Sequence, residues 1–330
     1  MSFAAIRGQT RAVDALRRAL ARGRLPHALI FAGPAGVGKR ATAYALAAAA
    51  LCTEQPGVGC GRCEDCRLVA AGTHPDLVVE DLERARAERP TAMLLSIEQA
   101  RRVRSHLAMR AVRGGRKIAI IDQAERLTVD AQNALLKTLE EPPGRATLVL
   151  IATNADALLA TIRSRCQRLL FAPLEPDLLR ELLEAEGIDP ELAGRAVALA
   201  EGSLDRARTL ADEEGLAQAD ELRAKLDRLR KMRLVDVLDL AGELAGPRGE
   251  KGRAQQEVNV ATVLSWCRAE LARAAADAAA ATDPDDVHER LEAVRAALRR
   301  AERSYATSRE LERNANVHLA WDRLLLELRE

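Results

Sequence analysis

Short apolar runs alternate with longer segments of helical period through the first half of the chain, a rhythm that predicts a parallel sheet covered on both faces by helices. Ala28 to Ala32 is a continuous apolar run of strand length, followed by an Ala-rich helical stretch to about Leu51. Asp76 to Glu80 reads as the next strand, and Ser96 to Met109 as a helix opened by a capping box, Ser96-Ile97-Glu98-Gln99. The charged segment Glu83 to Arg89 is expected to be a loop or irregular link. Lys117 to Asp122 reads as a buried strand, Val129 to Glu140 as a helix halted by Pro142-Pro143, Thr147 to Ala152 as a strand and Gln167 to Phe171 as a last one. About five parallel strands result. Beyond Phe171 the pattern changes. Pro173 and Pro176 bracket a linker, Asp177 to about Asp212 reads as a small helical segment, and Gly202-Ser203 marks a break before its last helix. From about Glu214 to Glu330, Ala, Leu, Arg and Glu recur at helical spacing with no strand signal, so these helices are expected to bury apolar stripes against one another. Gly246 to Gly252, with Pro247, is expected to be a loop, Asn316 a helix N-cap, Trp266 and Trp321 core or interface anchors, and His318 a surface residue.

The turn after the first strand carries the main candidate chemistry. Gly33-Pro34-Ala35-Gly36-Val37-Gly38-Lys39-Arg40 fits the phosphate-loop pattern G-x-x-x-x-G-K-[ST] until its last position, in the strand–loop–helix setting the motif requires. Gly33, Gly36 and Gly38 let backbone N–H groups turn toward phosphate oxygens, the following helix adds its positive end, and Lys39 reaches the outer phosphates. The hydroxyl that should hold Mg²⁺ is replaced by Arg40, which brings a repelling charge and no lone pair. Thr42 lies on another helix face and cannot substitute. Asp122 ends its strand as a metal-orienting carboxylate, but Gln123 follows it, and a Gln cannot take a proton from attacking water. Two altered positions predict an ATPase fold that is not an ATPase on its own, with Mg²⁺ binding not expected and ATP binding without turnover left open. A divergent but working ATPase is the competing reading.

Composition narrows the setting. The 330 residues allow two or three domains, and 50 Lys+Arg against 49 Asp+Glu leave no global field to draw the molecule onto nucleic acid or a membrane. Aromatic residues, at 2%, are too few for a surface that stacks single-stranded bases. The longest apolar run is too short to span a bilayer and the first residues do not read as a signal peptide, so a cytoplasmic protein without membrane contact is expected. Cys52, Cys60, Cys63 and Cys66 lie in a Gly-rich excursion at C-x7-C-x2-C-x2-C spacing, which suits tetrahedral zinc in a closed, structural site. An iron–sulfur cluster and a disulfide pair are the alternatives, and His74 could replace Cys52 as a ligand, although a lone loop His is more often solvated or hydrogen-bonded. Cys166 and Cys267 read as ordinary free thiols. Arg101, Arg102, Arg104, Arg110, Arg113, Arg116 and Lys117 form a basic stretch that would either meet phosphates or a partner's acidic face, or simply be a solvated helix surface.

The string Ala131-Gln132-Asn133-Ala134-Leu135-Leu136-Lys137-Thr138-Leu139-Glu140-Glu141-Pro142-Pro143, with Ala152-Thr153-Asn154, Ser164-Arg165-Cys166, the cysteine insertion and Ala71-Gly72-Thr73-His74-Pro75-Asp76, resembles the clamp-loader branch of the AAA+ superfamily in bacterial DNA polymerase III. Within that branch it is similar to members whose nucleotide-site motifs are damaged. The resemblance implies an α/β P-loop AAA+ domain with a zinc module at 52–66 over residues 1–171, a small helical lid over 172–213 and an all-α collar domain over 214–330. It implies that Asn154 matches sensor 1, and that Arg165 is an arginine finger reaching the γ-phosphate held by a neighbouring subunit, with Arg163 a second candidate. Active relatives place a sensor-2 Arg just after the Gly-Ser of the lid; here Leu204-Asp205-Arg206 leaves Arg206 shifted, or decorating a solvated helix. The implied partners are gamma/tau-type ATPase subunits and the delta subunit, with the sliding clamp and primed DNA, in a heteropentamer of which this chain would be the silent member. An ATP-hydrolysing gamma/tau-type subunit is the first rival, against which Arg40, Gln123 and the end at Glu330 without a long extension speak. A zinc-bearing P-loop scaffold or DNA-repair switch protein is the second.

Overall fold

A computed structural model describes residues 2–113, 115–246, 250–281, 283–312 and 316–329. The chain forms two compact units, 1–178 and 179–330. In the first unit the elements run α1 (Thr10–Ala21), β1 (Ala28–Ala32), α2 (Lys39–Leu51), α3 (Glu64–Ala70), β2 (Leu77–Glu80), α4 (Leu82–Glu88), α5 (Ile97–Ala108), β3 (Lys117–Ile121), α6 (Val129–Glu140), β4 (Ala146–Ala152), α7 (Ala160–Arg163) and β5 (Gln167–Leu170). The five strands are parallel in the order β2-β3-β4-β1-β5. Every residue of β1, β3 and β4 is buried, which is why these strands read as unbroken apolar runs rather than alternating ones. Alternate residues nonetheless serve different faces. Leu29, Phe31, Ile118, Ile120, Val149 and Ile151 pack with α1, α2 and α3, while Ile30, Ala119, Ile121, Leu148 and Leu150 pack with α5 and α6.

The strands and the helices α5 and α6 lie within a residue of where the pattern puts them. The capping box of α5 is present, with Ser96 N–H donating to Gln99 Oε1 at 2.8 Å. The segment expected to be irregular around Glu83 to Arg89 is instead helix α4. Asp81 caps it by accepting from Arg84 N–H at 2.8 Å, and Leu82 and Ala85 bury one short face beneath five charged or exposed side chains, so the apolar stripe is too narrow to show through the charge.

The second unit is helical: α8 (Pro176–Ala185), which crosses the boundary, then α9 (Pro190–Ala200), α10 (Leu204–Leu210), α11 (Glu213–Asp227), α12 (Leu234–Ala245), α13 (Glu250–Ala279), α14 (Pro284–Glu312) and α15 (Val317–Arg329). Ser203 caps α10 by accepting from Arg206 N–H at 3.2 Å, as the Gly-Ser break implies. The expected loop from Gly246 to Gly252 is shorter, because α13 already begins at Glu250; Pro247 lies outside the described residues. Asn316 caps α15, accepting from Leu319 N–H at 3.3 Å, whereas Asn314 and Ala315 lie outside the described residues. Trp321 and Trp266 are buried with Val237, Leu240, Val263 and Leu325, and Trp266 Nε1 donates to Asp227 at 2.7 Å. His318 is exposed.

Candidate functional site

The phosphate loop connects β1 to α2 at the carboxyl end of the sheet, where β1 lies between β4 and β5 and open α/β sheets form their ligand crevice. Gly36 and Gly38 turn the chain at φ 68° and 94°, values that Gly adopts without strain. Gly33 is required by packing: a Cβ there would lie 2.2 Å from the carbonyl oxygen of Phe171. Gln9, 4% exposed, ties the loop down from the other side, donating to the carbonyls of Val37 at 3.1 Å and Ala172 at 2.7 Å. No local motif announces this role for Gln9, since both partners are distant in sequence.

The loop's cations are turned onto the protein itself. Lys39 is 6% exposed and its ammonium donates to the loop carbonyls of Gly33, at 2.7 Å, and Pro34. Arg40 reaches Asp122 at 3.2 Å and Asp81 at 2.9 Å, with Tyr44 beneath its guanidinium at 5.9 Å. Burial tends to lower the Arg40 pKa, and the charges of Asp122 and Asp81 more than reverse this, so it stays fully charged. Asp122 has its pKa raised first by burial, with the charge of Asp81 adding to it and Arg40 and the Gln123 N–H opposing. Gln123 sits in the left-handed region at φ 53° and donates its own N–H to Asp122 at 2.8 Å. Thr42 is buried, with its hydroxyl donating to the Gly38 carbonyl at 2.8 Å. The fold therefore gathers Gly33, Gly36, Gly38, Lys39, Arg40, Asp122 and Asp81; the last is a participant that only the sheet order reveals.

Asn154 follows β4 and caps the next turn, its Oδ1 accepting from Asp156 N–H at 3.0 Å. Arg165, just after α7, is partly exposed and bound to Glu140 of α6 at 2.9 Å and to the Thr161 carbonyl at 3.0 Å. Buried Gln132 joins α6 to the start of α7 by donating to the Leu127 carbonyl at 3.2 Å and accepting from Leu159 N–H at 2.8 Å. Arg163 pairs with Asp156 at 2.6 Å. In the helical unit Arg206 is largely covered and bound to Glu201 at 2.8 Å, so it does not decorate a solvated helix.

Cys52, Cys60, Cys63 and Cys66 bring their sulfurs within 4.8 Å of one another. Cys52 and Cys63 are 3.7 Å apart, close to the edge of about 3.8 Å that four thiolates make around a tetrahedral ion with metal–sulfur bonds of about 2.3 Å. Backbone N–H groups point at the sulfurs, from Gln55 and Cys60 to Cys52 at 3.2 and 3.5 Å, from Cys63 to Cys60 at 3.2 Å and from Cys66 to Cys63 at 3.4 Å. Burial works to raise the Cys52 pKa, and the N–H groups of Cys60 and Gln55 overcome it, bringing the thiol down to about 7; burial pushes Cys66 up to about 12. These residues could hold a metal ion such as zinc. His74 is not a fourth ligand in waiting, nor solvated: it is 2% exposed, accepts from Asp76 N–H at 3.0 Å and faces Asp65 at 3.3 Å. Asp65 also accepts from Thr53 at 2.7 Å and Arg113 at 3.2 Å, which braces the module against the sheet. Cys166 and Cys267 are thiols raised by burial to about 12 and about 11.

Part of the basic stretch is turned onto the protein itself, while Arg101, Arg104 and Arg110 are exposed. Arg102 is bound to Glu80 at 2.8 Å and to Glu88 at 3.1 Å, and Arg113 to Glu64 at 2.7 Å. Arg116 donates to Thr147 at 2.9 Å, and Lys117 is buried against Asp76 at 3.0 Å. The sheet order supplies these acidic partners from elements that are distant in sequence, so much of the charge that looked available for phosphate is already compensated.

A family profile described as "DNA polymerase III, delta subunit" matches residues 8–175, just over half of the chain. The DNA polymerase III subunit delta' of Pseudomonas aeruginosa is 46% identical over 141 residues, which is 42% of this chain and 41% of that protein. The chain belongs to this DNA polymerase III delta' family. The delta' subunit of Bacillus subtilis is 32% identical over 56% of this chain and 54% of its own, and the tau subunit of Escherichia coli 31% identical over 75% of this chain and 39% of its own. The matched regions thus span about two fifths to just over half the length of these relatives. Among solved structures, a gamma-subunit-related protein from Thermotoga maritima aligns over 96% of this chain and 98% of its own at 17% identity and a TM-score of 0.43, a likeness too loose to carry an argument. Family membership agrees with the parallel five-stranded sheet and the cysteine insertion, and it sets the chain apart from an unrelated P-loop scaffold. Among the described residues no helix is long and apolar enough to cross a membrane.

Proposed function

We propose that the chain is the catalytically silent delta' subunit of a bacterial clamp loader, acting in the cytoplasm with gamma/tau-type ATPase subunits and the delta subunit to place the sliding clamp on primed DNA. The observation that carries the silent half of this reading is the disposition of Lys39 and Arg40, bound to the loop's own carbonyls and to Asp81 and Asp122 where a nucleotide and its metal would have to be. Neither group is free to meet a phosphate without giving up an internal partner. The tau relative keeps the gamma/tau alternative in view, and Arg40 together with Gln123 counts against it.

Arg165 is the residue through which such a subunit would act on its neighbour. Its guanidinium rests in a half-exposed pair with Glu140, an arrangement of the kind worth about 0–1 kcal/mol, so exchanging that carboxylate for a neighbour's γ-phosphate costs little. At the phosphate a planar fork neutralises developing charge, an effect of order 10³ to 10⁵ in rate. Asn154 is committed to its turn and is assigned no catalytic part. The four cysteines would hold a structural zinc, with no open position for chemistry. Residues 172–213 and 214–330 would act as lid and collar, the collar joining the subunits.

The reading is tested by mixing the purified chain with gamma/tau-type and delta subunits and following assembly by size-exclusion chromatography, with labelled ATP incubated with the chain alone in parallel to follow phosphate release. Co-elution in one complex, with no ATP turnover by the chain alone, is the expected result. Turnover by the isolated chain, or failure to enter the complex, would remove the proposal.

A further inference from the structure

Asp81 and Asp122 have no part in chemistry performed in trans, yet the fold brings them side by side. Asp81 follows β2 and Asp122 follows β3, and because Glu80 pairs with Ile121 across the sheet, both carboxylates emerge together at the start of α2. Their side chains are only 11% and 15% exposed, so their mutual repulsion is poorly screened. In a phosphate loop that uses a metal, one or two carboxylates and the hydroxyl after the lysine hold a divalent cation in this place. Here the residue after the lysine is Arg40, whose guanidinium lies between the two carboxylates at 2.9 and 3.2 Å.

We propose that Arg40 is a built-in replacement for that divalent cation: its planar fork bridges Asp81 and Asp122 and locks the first turn of α2 to the ends of β2 and β3 without metal or nucleotide. Two features make a guanidinium suitable. It stays charged when partly desolvated, and its donors spread far enough to serve two acceptors at once, which a lysine ammonium does less well. Tyr44, one turn further along α2, supports the guanidinium from its ring face. Lys39 and Arg40 together balance Asp81 and Asp122, so the site is neutral before any ligand arrives. It has nothing to offer Mg²⁺ and no surplus charge for a polyphosphate. Loss of the hydroxyl is thus one half of a replacement whose other half is the retained pair of carboxylates, and its consequence is a loop held in one arrangement whatever the nucleotide concentration.

The test uses the full chain on its own, so its outcome is independent of whether Arg165 acts in trans. Thermal unfolding is followed for the wild type, Arg40→Ala and Arg40→Ala/Asp122→Asn, each with MgCl₂ or with NaCl at matched ionic strength. Magnesium is the probe because it favours oxygen ligands and leaves the cysteine thiolates alone. The wild type should not respond. Arg40→Ala should lose several degrees in Tm and regain most of them with MgCl₂ but not with NaCl, and the double variant should lie above the single one and ignore magnesium. An Arg40→Ala chain as stable as wild type, or one whose loss neither magnesium nor Asp122→Asn repairs, would overturn the proposal. Should Arg40→Ala fail to fold, the double variant decides: it folds if the guanidinium acts as a counter-cation and stays unfolded if it acts by packing.

Discussion

Replacing Asp76 by Ala should be among the most damaging single changes available outside the apolar core. Asp76 is fully buried, and its carboxylate accepts from Val112 N–H and Arg113 N–H, each at 2.7 Å, while holding the Lys117 ammonium at 3.0 Å. Lys117 has a side chain only 6% exposed, and its other acceptor is the Pro75 carbonyl at 3.1 Å. Removing the carboxylate strands a buried charge and two backbone donors; breaking a buried pair in this way costs about 3–5 kcal/mol. For a unit the size of 1–178, at roughly 2–4 °C per kcal/mol, the Tm should fall by roughly 6–20 °C. Because Arg113 leaves the same loop to reach Glu64 and Asp65, the cysteine module should loosen as well and its thiols react faster with a thiol reagent. Differential scanning calorimetry with thiol titration reads both effects. Adding Lys117→Met should return part of the loss, since the stranded charge goes with it. A loss under about 1 kcal/mol for Asp76→Ala, or no recovery in the double variant, would refute the assignment of this pair as a buried electrostatic anchor.

Three further outcomes follow from the geometry. His106 has its pKa lowered from 6.5, first by burial and then by Lys117, so the folded state prefers it neutral; its stabilising contribution is complete above about pH 6.5 and lost as the pH falls through the folded value, and urea unfolding between pH 7.5 and 5 should show a slope that His106→Gln reduces. Gln132→Ala leaves Leu159 N–H without its acceptor and frees the start of α7, so it should cost about 1–3 kcal/mol and weaken the effect of Arg165 on a neighbour's ATPase more than it weakens assembly. Metal analysis should find one zinc per chain, and chelation should expose four additional thiols to titration, whereas Cys63→Ser should abolish zinc retention and leave the sheet of the first unit folded.

The sheet and the phosphate loop were legible in the sequence because both rest on local signals: buried parallel strands are unbroken apolar runs, and a phosphate loop needs its glycines and lysine at fixed spacing. The cysteine cluster was legible for the same reason. Helix α4 was hidden because its apolar face is only Leu82 and Ala85 amid charge, and the cap at Asp81 was the remaining sign of it. The sequence left the basic stretch open between a phosphate-binding and a solvated face, and its internal partners could not be seen because Glu80, Asp76, Glu64 and Asp65 come from other elements that only the strand order and the module's position bring within reach of Arg102, Lys117 and Arg113. Arg40 could be seen to lack a hydroxyl, but its two carboxylates could not be paired with it until β2 was placed beside β3. Gly33 reads as a phosphate-contacting glycine, whereas the structure shows a close approach to Phe171 that excludes any side chain, so its retention says nothing about nucleotide.

Silence in its own site combined with action in a neighbour's is tested most directly by clamp- and DNA-stimulated ATP hydrolysis in the reconstituted loader, comparing the wild-type chain with Arg165→Ala and with the chain alone. The account predicts no turnover by the chain alone and a large loss in the complex on mutation, with the complex still assembled and Arg163→Ala close to wild type. Hydrolysis by the isolated chain, or an Arg165→Ala complex as active as wild type, would contradict it.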